Sequence, residues 1–259
     1  MAFLEVKFFS DVLGMCTQMN VILPERPETE KVPVVFLLHG MSDDHTAWCR
    51  FTSIERYAYE RGIAVVMPTT HLGWYTDMYM GEKYFTFITK ELPEICRSFF
   101  PRMDLRRETT FAAGLSMGGY GAWKCALSAP ETFSAAVSLS GALDIAGMCR
   151  DRGTLMPDAS LGYWTDIFGP LEQVEGGKDD LLAEAKRLTE SGKTLPRLFA
   201  WCGSEDFLIE YNHNAWKVIG DLGYDLTVRE TGGDHRWKYW DEHIQEGLDW
   251  LGFPVKEGN

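Results

Sequence analysis

One serine stands where a nucleophile would. Gly114-Leu115-Ser116-Met117-Gly118 fits G-x-S-x-G, the pattern of a strand-to-helix turn sharp enough to lift a hydroxyl clear of a sheet. The two glycines matter sterically, because without side chains there, strand and returning helix approach closely while the serine takes an unfavourable backbone conformation. The same five residues also suit a plain glycine-rich helix cap. The flanks favour chemistry, because apolar Thr109 to Leu115 reads as a buried strand and Gly121 to Leu127 as a helix ending at Pro130.

A serine hydroxyl needs a base, and the chain has six histidines. His235, in Thr231-Gly232-Gly233-Asp234-His235, follows a strand and precedes the last helix, where a loop can carry imidazole over the turn; its alternative role is as a helix-start residue. His39 precedes the serine and could shape its own turn or touch substrate. His213 and His243 fall within expected helices, and His45 and His71 on loops. Asp206, in Gly203-Ser204-Glu205-Asp206, is the leading acid, placed to bond the far imidazole nitrogen and stabilise the imidazolium formed during attack. Its other use is helix capping. Asp144 is the rival acid, whereas Asp234 is too near His235 in sequence to orient it. Backbone N–H groups of Met117, after the serine, and Met41, after an earlier strand, are the expected oxyanion donors. Asp43-Asp44-His45 has metal-ligand residue types, but turns before helices favour the same residues, and no metal is expected there.

These residues need a scaffold that gathers loops at one edge. Leu4 to Phe9 and Met15 to Leu23 predict an antiparallel hairpin. Val32 to Leu38, Ile63 to Met67, Thr109 to Leu115, Ala135 to Leu139, Pro196 to Cys202 and Leu226 to Glu230 predict strands. Helices are expected over Ile54 to Glu60, Tyr84 to Phe100, Asp179 to Ser191, Phe207 to Leu222 and Arg236 to Leu251. Apolar strands alternating with helices mean an α/β fold, mostly a parallel sheet with helices on both faces, whose ligands bind beyond the carboxyl ends of the strands. Residues 1–259 read as a single domain. The aperiodic stretch 141–177 is long for a compact domain and predicts a cap or substrate loop.

The net charge of −13 argues against nucleic acid and anionic membranes as partners and for a neutral small-molecule substrate. No signal peptide or membrane span is read from the chain, and its six scattered cysteines lack a C-x-x-C pair. Reduced thiols and a cytoplasmic setting are the corresponding expectations.

Leu38-His39-Gly40-Met41, Gly114 to Gly121, Cys202 to Asp206 and Gly233-Asp234-His235 together resemble the esterase D-like α/β-hydrolases, especially bacterial tributyrin and acetyl esterases, near feruloyl esterases and S-formylglutathione hydrolases. The resemblance implies Ser116 as nucleophile, His235 as base, Asp206 as acid and the Met41 and Met117 amides as oxyanion donors, without cofactor. It places Gly73-Trp74-Tyr75-Thr76-Asp77 on a substrate-facing loop, which makes Trp74 and Tyr75 substrate-binding candidates with His39. The expected reaction is hydrolysis of small neutral acyl esters through an acyl-enzyme. Feruloyl ester or S-formylglutathione hydrolysis, acyl transfer and non-catalytic ligand binding are the alternatives, and self-association is common among relatives.

Overall fold

The computed structural model describes residues 1–25, 29–151 and 161–255. The chain opens with β1 (Ala2–Ser10) and β2 (Met15–Leu23), an antiparallel hairpin, and continues through β3 (Val32–Leu38), α1 (Ala47–Phe51), α2 (Ile54–Arg61) and β4 (Ala64–Pro68). Next come α3 (Tyr84–Thr86), a π turn at Phe87–Glu91, α4 (Leu92–Phe99), a two-residue β5 (Met103–Asp104), β6 (Thr110–Leu115), α5 (Met117–Ser128) and β7 (Ala135–Leu139). The rest is α6 (Ile145–Asp151), α7 (Leu161–Phe168), α8 (Leu181–Glu190), β8 (Arg197–Gly203), α9 (Ile209–Asp221), β9 (Leu226–Thr231) and α10 (Trp237–Trp250).

The strands lie in the order β1-β2-β4-β3-β6-β7-β8-β9, with β5 also pairing β3. The β1–β2 and β2–β4 pairs are antiparallel, and every pair from β4 through β9 is parallel. This is the mostly parallel α/β sheet with an antiparallel N-terminal hairpin expected from the strand pattern, and the α/β-hydrolase architecture that the resemblance implied.

Strand β3 shows why continuous apolar runs were required. Val32, Val34, Phe36 and Leu38 pack on one face with α4 to α9, while Val35 and Leu37 pack on the other with α1, α2 and α10. A strand alternates sides at each residue, so burial on both faces demands apolar residues throughout.

Two details depart from the expected elements. The anticipated helix over Tyr84 to Phe100 contains a π turn just before Pro93, which has no N–H to continue the ladder. The 141–177 stretch is not wholly irregular, since it contributes α6 and α7. Its residues 152–160, and the chain end 256–259, lie outside the described residues.

Register gathers the loops. Leu38 pairs Gly114, Leu115 pairs Leu139, Leu139 pairs Trp201, and Gly203 pairs Thr231. The loops leaving β3, β6, β8 and β9 therefore emerge side by side at the carboxyl edge.

Candidate active site

Ser116 sits between β6 and α5 at φ 52°, ψ −119°, a conformation an L-residue holds only where its surroundings over-determine it. Those surroundings are visible. The Ser116 N–H donates to Leu139 O at 2.9 Å, and its carbonyl accepts from Tyr120 N at 3.1 Å. A Cβ on Gly114 would collide with the Gly118 carbonyl, and one on Gly118 with the Leu38 and His39 carbonyl oxygens. Both glycines of the motif are thus required by close backbone approach.

His235 Nε2 lies 2.9 Å from Ser116 Oγ, and its Nδ1 lies 2.8 Å from Asp206 Oδ2. Asp206 is 2% exposed, and its other oxygen accepts from Leu208 N at 2.9 Å. The loops bearing acid and imidazole are laced together: Ser204 N donates to Thr231 O, Glu205 N to Gly233 O, and Gly233 N back to the Glu205 carboxylate. The imidazole is further held between Phe207 and Trp240, at ring distances of 4.6 and 4.8 Å. This geometry suits proton transfer from Ser116 Oγ to an imidazole whose tautomer the carboxylate fixes.

The rival acids are engaged elsewhere. Asp144 caps α6 through Gly147 N at 2.8 Å and accepts from Asn214 Nδ2 at 2.6 Å, whereas Asp234 pairs with Arg236. Asp44 bonds the Thr46 amide and hydroxyl, and His45 Nδ1 lies 2.7 Å from the Thr69 hydroxyl.

Ser116 and His235 lie in the wall of a cavity of about 520 Å³, together with Gly40, Met41 and Leu115. Met117 opens α5, where the first amides have no intrahelical acceptor and the helix dipole favours negative charge. Met41 lines the cavity from the loop after β3.

Of the three proposed substrate contacts, Trp74 lines the cavity, but His39 and Tyr75 stand behind its wall. Tyr75 is fully buried, and its hydroxyl donates to His39 O at 2.9 Å. The Thr70 amide donates to His39 Nε2 at 3.1 Å, which puts the ring proton on Nδ1 for donation to Gly40 O at 2.7 Å. Burial lowers the His39 pKa to about 4. This neutral ring props the Gly40-Met41 turn. A histidine beside a glycine turn reads alike in sequence whether it meets ligand or backbone.

Several lining residues carried no sequence signal. Met148 comes from α6, Trp164 from α7, Phe207 and Leu208 from the acid loop, and Trp237 and Trp240 from α10. Only the last two, at i,i+3 just after His235, share a legible helix face. Asp43 and Arg236 also stand in the lining. Burial, with help from neighbouring Asp44, raises the Asp43 pKa, and Arg236 is held by Asp234 at 2.9 Å.

The family model described as "Putative esterase" matches residues 10–251. An acetyl esterase of Caldicellulosiruptor saccharolyticus is 31% identical over 97% of this chain and 98% of its own. Two Staphylococcus aureus structures are each 30% identical and cover 96% of this chain and 98% of their own: FphF, a fluorophosphonate-binding serine hydrolase with substrate bound, at TM-score 0.88, and the S-formylglutathione hydrolase FrmB at TM-score 0.85. The chain belongs to this esterase family, a carboxylic ester hydrolase built on the α/β-hydrolase fold.

Proposed function

We propose that the chain is a serine carboxylesterase acting on small neutral acyl esters, with Ser116 as nucleophile, His235 as general base and Asp206 as the carboxylate that orients it. The carrying observation is the unbroken Ser116–His235–Asp206 hydrogen-bonded relay in the wall of a largely apolar cavity. His235 Nε2 takes the hydroxyl proton as Ser116 Oγ attacks the ester carbonyl. The tetrahedral oxyanion is received by the Met41 and Met117 amides. Nε2 then gives its proton to the departing alcohol, and the imidazole activates water to release the acid from the acyl-enzyme.

The charge at the mouth favours neutral leaving groups. A leaving group carrying carboxylates, such as glutathione, needs a free cation, and Arg236 is already engaged by Asp234 with Asp43 in the same lining. Thioester hydrolysis of the kind named for the S. aureus relative is the second reading, supported by the 30% identity to that relative over nearly the whole chain. Six unpaired cysteines, four of them buried, support a reducing compartment. Among the described residues no helix is long and apolar enough to cross a membrane.

The decisive comparison is between wild type and Ser116→Ala on p-nitrophenyl acetate, butyrate and hexanoate, methyl ferulate and S-formylglutathione. Wild type is expected to prefer the short acyl esters, and Ser116→Ala to lose at least about 10³-fold in kcat/KM. Activity surviving in Ser116→Ala would sink the mechanism.

A further inference from the structure

We propose that Lys124, unused in the chemistry above, is a positioning residue that sets the acyl length the cavity accepts, by clamping the Trp74 wall through its ion pair with Asp179. Its side chain is 3% exposed, on the elbow helix α5. Its Nζ donates to Thr76 Oγ1 at 2.8 Å, to Tyr120 Oη at 3.2 Å and to the Asp179 carboxylate, so each ammonium proton has an acceptor. The Thr76 hydroxyl donates to the same Asp179 oxygen, and the Tyr120 hydroxyl to the Asp179 carbonyl at 2.9 Å. The next residue, Asp180, caps α8 through Leu182 N and Ala183 N. Three segments therefore converge on one cation: the elbow helix, the loop after β4 and the chain entering α8.

The hold passes to the cavity within two residues. Thr76 N closes a turn onto Gly73 O at 3.1 Å, and inside that turn Trp74 and Tyr75 sit at φ 51° and 50°. Two consecutive non-glycine residues in the left-handed region persist only where the surroundings hold them. The Trp74 ring packs on Trp164 at 5.2 Å, Phe168 at 5.7 Å and Tyr120 at 5.8 Å. Tyr120 thus touches both the clamp and the wall.

A buried ion pair is a poor source of net stability, since apolar replacements of similar volume often do as well. What it supplies here is direction. On the reading of Ser116 as nucleophile, on which this inference rests, His235 must reach the leaving oxygen, so the alcohol lies toward Phe207, His235 and Trp237. The acyl chain then points toward Trp74, Trp164 and Met148, the wall Lys124 secures.

The experiment uses Lys124→Met combined with Asp179→Asn, which removes both charges at nearly constant volume. Val65→Ala, in the core on the opposite face of the sheet, supplies a destabilised control remote from the clamp. Wild type and variants are labelled at Ser116 with a fluorophosphonate and assayed on p-nitrophenyl acetate and hexanoate. In the double variant, labelling and kcat on acetate should stay within about three-fold of wild type. The hexanoate-to-acetate ratio of kcat/KM should rise at least about five-fold, through a lower KM for hexanoate, and Val65→Ala should leave that ratio in place. A folded, labelled double variant whose ratio stays within about two-fold of wild type would overturn the proposal. If the double variant does not fold, Thr76→Val, which deletes the hydroxyl's two hydrogen bonds to Lys124 and Asp179 and keeps both charges, is judged by the same ratio. Failure of wild type to label would instead overturn the nucleophile reading, and the clamp's role with it.

Discussion

His39→Gln should flatten the acid sensitivity of the fold. The native ring is 1% exposed, and both nitrogens are engaged in its neutral form, Nε2 by the Thr70 amide and Nδ1 by the Gly40 carbonyl. Burial brings its pKa down from 6.5 to about 4. Between these values the unfolded chain binds a proton that the folded chain refuses. The contribution is therefore complete above pH 6.5 and drains away as pH falls toward 4. At about 1.4 kcal/mol per pKa unit the whole window is worth roughly 3 kcal/mol, of which about 2 kcal/mol is gone by pH 5. Urea unfolding of wild type and His39→Gln at pH 7.5 and pH 5 reads this difference. Neighbouring groups with shifted pKa values, His45 and Asp43 among them, stay in both proteins and largely cancel. Wild type should lose about 2 kcal/mol more than the variant over that interval. Equal losses would refute the assignment of a neutral, buried His39.

Asp206→Asn should lower kcat by about 10⁴-fold with little change in fold, because an amide favours the wrong imidazole tautomer; steady-state kinetics on p-nitrophenyl acetate would show it. Gly118→Ala should destroy fluorophosphonate labelling of Ser116, since its Cβ meets the carbonyls of Leu38 and His39, backbone that has no other place to go. Asp180→Ala removes the cap of α8 and a bond from Gly176 N, and urea unfolding should register a cost of about 1 kcal/mol.

The parts legible in the sequence were those with a local physical cause. Two-sided burial forced the continuous apolar runs of β3, β6 and β7, and chain order with glycine turns pointed to Ser116, Asp206 and His235. Close backbone approach explains the glycines around the serine in sequence and structure alike. The cavity wall was less legible because its residues come from separate elements. Met148 and Trp164 lie in a stretch without sustained periodicity, and nothing local says that α6 and α7 turn them inward. His39 and Tyr75 show the converse limit. Their types and positions suit ligand contact, but tertiary packing commits both to the turn behind the wall. The Lys124–Asp179 pair links distant residues, and a lone lysine in an elbow helix gives no sign of its partner.

The cavity also carries its own optical reporter. Four of the nine tryptophans, Trp74, Trp164, Trp237 and Trp240, line it, and two of them, Trp74 and Trp164, stand in mutual ring contact at 5.2 Å. On the proposed mechanism an acyl group lodging in the cavity against those indoles would change the polarity around them. The emission of the unlabelled protein should therefore move as the acyl-enzyme forms and return as it hydrolyses, so that the two half-reactions can be timed in a stopped-flow trace with colourless esters.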